Sequence, residues 1–110
     1  MAYIAPKVYT FRASTSPDLK AQRVYYELSH DEPISYQSPV LLPDIPFVSG
    51  QDFVSIDLED HLKGYEGPIR VGSVSVDQAG NLSDVGAVAS AFLDFQVPLP
   101  PTEGKIGEAV

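Results

Sequence analysis

Apolar and polar residues alternate in steps of two along much of the chain, as they do in strands that bury one face. Val8-Tyr9-Thr10-Phe11 alternates and gives way to Ser14-Thr15-Ser16-Pro17-Asp18, a cluster of turn formers. Arg23 to Leu28 is β-branched and aromatic and runs into His30-Asp31-Glu32-Pro33. Ile34 to Ser38 is predicted as a short strand before Pro39. Phe53 to Leu58 places Val54, Ile56 and Leu58 on one face, Ile69 to Val76 is the longest run, and Val85 to Phe95 supplies a last strand. Helical signal is confined to Leu58 to Lys63, about one turn before Gly64. Short strands punctuated by turns predict an all-β fold, a two-sheet antiparallel sandwich of six to seven strands. Phe11, Val24, Tyr26, Ile56 and Val71 are expected to meet inside it.

Two segments break the alternation. Ser38 to Val48 is apolar but interrupted by Pro39, Pro43 and Pro46, so it cannot pair as a central strand. It is expected to drape over one edge of the fold, with Leu41, Ile45 and Phe47 tucked into the core and the prolines blocking edge-to-edge pairing. The competing expectation is an exposed apolar patch for a partner protein. From Val97 onward, Val97-Pro98-Leu99-Pro100-Pro101 favours extended polyproline geometry, and Thr102 to Val110 has little to pack. The chain therefore divides into a β domain at 1–96 and a Pro-rich linker or disordered tail at 97–110.

Composition narrows the classes of function. The chain has 110 residues, 44 % hydrophobic and 20 % charged, which suits one globular domain. Without cysteine there is no disulfide, thiolate metal site or cysteine nucleophile. A formal net charge of −8 repels phosphate backbones and anionic lipid, so no nucleic-acid partner is expected. No apolar run approaches the roughly 18 residues of a membrane span, and no membrane insertion is expected. The first residues lack the pattern of a signal peptide, which leaves either an intracellular protein or a piece of a larger extracellular one.

Two stretches carry a resemblance. Thr10 to Leu19 followed by Arg23-Val24-Tyr25-Tyr26 resembles the B strand, BC loop and C strand of fibronectin type III domains. Val74-Ser75-Val76-Asp77-Gln78-Ala79-Gly80-Asn81-Leu82-Ser83 is similar to that family's F-strand end and FG turn, a run that bacterial immunoglobulin-like domains also carry. The resemblance spans about residues 7 to 95 and implies an immunoglobulin-like sandwich with the BC and FG loops at the same end. Gly80 is expected to take a positive φ, with Asp77 and Asn81 bonding nearby amides. Phe11 stands where the family usually has a core tryptophan, Gln22 where a core tyrosine is common, and Ile69 near the tyrosine that pins the E–F corner. Little chain precedes Lys7, so strand A is expected to be short, displaced or absent, and dimerisation through the open sheet edge follows as a hypothesis.

Candidate chemistry is sparse. His61 with Asp57, Glu59 and Asp60, and the pair Asp77 and Asn81, offer hard ligands, but neither has calcium-loop spacing. No G-x-S-x-G elbow and no phosphate-binding loop occurs. The expectation is a non-catalytic structural or protein-interaction module that needs no cofactor. Its surface would draw on Leu41, Leu42, Ile45 and Phe47, on Asp18, Asp77 and Asn81 of the two turns, and on Tyr25 and Tyr36. The alternative is a carbohydrate-binding module using exposed tyrosines, with Tyr25 pointing away from the core. A purely structural part of a larger assembly is the third possibility.

Overall fold

The computed structural model describes residues 7–107. The fold is all-β, with six strands among the described residues in two antiparallel sheets: β1 (Val8–Arg12), β2 (Leu19–Glu27), β3 (Ile45–Pro46), β4 (Phe53–Asp57), β5 (Glu66–Asp77) and β6 (Gly86–Asp94). A short helix, α1 (Leu58–His61), follows β4. The strand orders are β1-β4 and β3-β2-β5-β6.

Alternation in β1 and β4 works as the residue pattern requires. Tyr9 lies opposite Ile56 and Phe11 opposite Val54, and all four are buried. On the reverse face Thr10 and Ser55 pair through their hydroxyls at 3.1 Å. Asp57 closes the strand and caps the helix, its carboxylate accepting from the Glu59 amide at 3.0 Å. Leu58 then turns back into the core. From the larger sheet, Val24, Ile69, Val71 and Leu93 meet the β1–β4 residues in one apolar cluster, which Leu41 and Phe95 complete. Of the five residues expected inside, Phe11, Val24, Ile56 and Val71 are buried, while Tyr26 is half-buried and packs against the cluster.

The second face of the larger sheet is covered where β2 pairs with β5, while Val88 and Phe92 of β6 stay exposed. Ala21, Val74 and Val76 are buried there outside the main cluster, and Gly72 is fully covered. The segment after β2 folds back over this face. No strand forms at Ile34 to Ser38, contrary to the expectation from its residues. The Ser38 amide donates to the Ser35 carbonyl, and the Ser35 amide to Ser38 Oγ, both at 3.0 Å, so the segment is a serine-held turn. Val40 makes an isolated bridge to Tyr25, and Ile45–Pro46 adds two residues to the β2 edge. Proline in that position loses no ladder bond, because its nitrogen faces outward.

The chain leaves the folded part after Phe95. Residues 97–107 form no regular element and are exposed, with Val97, Leu99 and Ile106 almost fully so. The radius of gyration is 19.4 Å, against about 13 Å for a compact domain of 100 residues. Residues 1–6, where a strand before β1 would lie, and 108–110 fall outside the described residues.

Candidate functional site

The turn between β1 and β2 and the turn after β5 come together at one end of the larger sheet. The Gln78 amide donates to the Asp18 carbonyl at 2.9 Å, which ties the first turn to the second. Between them lies a shallow depression of about 170 Å³ lined by Ser16, Asp18, Ser75, Asp77, Asn81 and Ser83, among others. The second turn is built by Asp77. Its carboxylate accepts from the Ala79 amide at 2.9 Å, the Asn81 amide at 2.8 Å and the Asn81 side-chain amide at 3.0 Å. Those bonds, the Asn81 backbone amide first, hold the Asp77 carboxyl below the usual carboxylate range. Gly80 sits at φ 88, a conformation that costs a residue with a Cβ. Tyr36 reaches the same end, donating from its hydroxyl to the Ser83 carbonyl at 2.7 Å.

Tyr25 corrects the expectation of an exposed tyrosine platform. It points away from the main cluster, opposite Gly72, but is only 3 % exposed. The fold-back segment covers it, with the Tyr36 ring edge-on at 6.5 Å and Arg23 Nη1 3.4 Å from its hydroxyl. Tyr25 and Tyr36 thus form a cross-packed pair rather than a flat row.

The apolar Pro-rich loop divides between the two roles weighed for it. Leu41 belongs to the core, and its amide donates to the Val24 carbonyl at 2.9 Å. Leu42 and Ile45 are half-buried against the cluster. Phe47 is 50 % exposed and Val48 55 %, so Phe47 does not join the core as expected. The reason is register: once Ile45 and Pro46 pair with β2, the Phe47 amide donates to the Lys20 carbonyl at the rim of the sheet, beyond the packed interior. Asp44 anchors the loop through a two-pronged pair with Arg23, at 2.8 and 2.9 Å. The guanidinium holds the Asp44 carboxyl low, and the carboxylate in turn raises the Arg23 pKa.

Other candidate chemistry is already committed. Asp57 caps α1, and Glu59 pairs with Lys7 at 3.0 Å. Among the described residues no group of three metal-ligating side chains comes together. His30 Nε2 lies 3.0 Å from the Ala91 carbonyl, with its ring against Phe92, and Arg70 holds the His30 carbonyl at 2.6 Å.

Three polar ties within the fold escaped the sequence reading. Gln22 accepts from the Ser14 amide at 3.1 Å, Tyr65 donates to the Pro68 carbonyl at 2.6 Å, and Tyr9 meets Ser73 Oγ at 2.7 Å. A polar residue at an inward position of an alternating strand was the available signal for Gln22 and Ser73. Comparison with protein-family models, curated proteins and solved structures returned no match.

Proposed function

We propose that this chain is a fibronectin type III-like β-sandwich acting as a spacer or protein-interaction module without catalytic chemistry of its own. Its binding surface is the end formed by the two tied turns together with the exposed rim of the Pro-rich loop. The strand order supports the family reading: β2, β5 and β6 lie side by side, as C, F and G do in immunoglobulin-like sandwiches, with β1 and β4 in the opposing sheet. The observation that carries the binding reading is the Gln78–Asp18 bond, which holds two loops as one preformed surface. Loops fixed on a rigid scaffold are the common place for recognition. Phe47 and Val48 add an apolar contact of the kind that interfaces bury.

The test compares the chain with its Phe47→Asp and Asp18→Ala variants, each immobilised and exposed to extract of its source cells. Both positions are exposed, so melting curves are expected to shift by no more than about 0.5 kcal/mol equivalent. A retained protein lost with either folded variant is the expected result. Retention that is equal on all three, or no retention at micromolar concentration, overturns the proposed surface.

A further inference from the structure

Between residues 97 and 101, every position is either a proline or stands directly before one. A proline ring fixes its own φ at about −65° and crowds the preceding residue out of the helical region. Successive residues are thus confined to polyproline II geometry by covalent structure alone, without hydrogen bonds. The structure follows suit: no turn or bend interrupts residues 95–107, and none of residues 97–102 takes a positive φ. The run begins directly beyond a fixed point. Phe95 is buried, its amide donates to the Tyr65 carbonyl at 2.9 Å, and the Asp94 carboxylate accepts from the Gln96 amide at 3.2 Å.

Folding leaves this run unused. Val97 is 87 % and Leu99 92 % exposed, and among the described residues no carbonyl of 97–102 accepts a backbone hydrogen bond. A polyproline II helix has about three residues per turn and rises roughly 3.1 Å per residue. Pro98 and Pro101 therefore share one edge, and Val97 and Pro100 the next. Val97-Pro98 and Pro100-Pro101 form two neighbouring apolar ridges over about 15 Å, with Leu99 between them on the third edge. Two such pairs separated by one residue match the grooves between aromatic side chains that read Pro-x-x-Pro segments. The free carbonyls are acceptors for the tyrosine O–H and tryptophan N–H groups of a groove of that kind. Because the backbone is already set, docking costs little ordering entropy.

Charge selects among such grooves. The nearest charged side chains are Asp94 on one side and Glu103 on the other, with Lys105 further out, and the chain as a whole carries −8. A groove with basic residues at its rim is complementary to these flanks, whereas an acidic rim is repelled.

We propose that residues 97–101 are the ligand for an aromatic-lined, basic-rimmed polyproline groove on a partner protein. This contact is separate from the surface of the two tied turns, and neither depends on the other.

Titration of the full-length, ¹⁵N-labelled chain with purified SH3, WW and EVH1 domains, chosen with acidic and with basic groove rims, tests this. Saturable shifts are expected at the Val97, Leu99 and Thr102 amides with basic-rimmed domains, while the amides of β1 to β6 stay unmoved. Pro98→Ala with Pro101→Ala is expected to weaken that binding at least about tenfold, the loss of roughly 1.4 kcal/mol or more. Both substitutions lie outside the folded part, so the remaining spectrum reports directly that the fold is intact. Absence of saturable shifts with every domain overturns the proposal and leaves the run a spacer. Equal binding by the double variant, or a preference for acidic rims, overturns it too.

Discussion

The phenol of Tyr9 reaches from β1 across to the other sheet, where Ser73 Oγ lies 2.7 Å from its oxygen and its own proton goes to the Ala87 carbonyl at 2.8 Å. With that proton committed, the Ser73 hydroxyl donates. Ala87 holds φ 52, left-handed for a residue with a Cβ, and the bond from Tyr9 helps keep it there. Tyr9→Phe leaves the ring packing intact but strands a buried serine hydroxyl. The expected loss is about 1–3 kcal/mol by urea denaturation. Burial raises the Tyr9 pKa, and the Ser73 bond offsets part of the rise. Because the folded value exceeds the unfolded one, the contribution is complete below about pH 10. It is lost as pH climbs from there through the raised folded value. Stability of the native chain is therefore expected to fall more steeply above pH 10 than that of the phenylalanine variant.

Among the elements, β5 is the longest strand and, like its neighbour β2, buries both of its faces. Ile69 and Val71 enter the main cluster, while Val74 and Val76 pack under the segments that fold over the opposite face. A near-continuous apolar strand of this kind normally belongs to the middle of a sheet covered on both sides. Gly72 lies opposite Tyr25 on the second face, and a Cβ there would stand 2.8 Å from Val85 Cγ1 and 3.1 Å from Ile34 Cγ2. The backbone is not left-handed at this point, so the constraint is space alone. Gly72→Ala is expected to cost about 1–3 kcal/mol through overpacking. The denaturation midpoint should fall with an unchanged slope, which distinguishes crowding from a change in the unfolded ensemble.

Across the whole molecule, fifteen acidic side chains face seven basic ones. Among the described residues two of the bases are taken up in ion pairs, Lys7 with Glu59 and Arg23 with Asp44, so repulsion among the remaining carboxylates is the larger electrostatic effect. Salt shortens the reach of that repulsion, with a Debye length near 30 Å at 0.01 M and near 10 Å at 0.1 M. The melting temperature is expected to rise by a few degrees, equivalent to about 0.5–1 kcal/mol, when sodium chloride increases from 0.01 to 0.3 M. A fall over that range would mean that the two pairs outweigh the net charge.

Local alternation was enough to place Tyr9, Phe11, Val54 and Ile56 on inward faces, because a strand side chain has only two directions to take. The Asp77 to Asn81 turn was legible for a similar reason: its bonds span four residues, and its left-handed position asks for glycine. Missing amide donors keep the Pro-rich segment out of the sheet interior, and it reaches only the β2 edge. What needed the tertiary structure was anything depending on which segments lie above a strand. Tyr25 points away from the main core, as its neighbours Val24 and Tyr26 require, yet a segment ten to twenty residues further on covers it. Phe47 stays exposed because the pairing of two residues at β3 sets where the loop runs out of sheet. The Tyr9–Ser73 contact joins residues 64 apart on strands of different sheets. Periodicity acts within a strand, whereas coverage and edges belong to the assembled sheets.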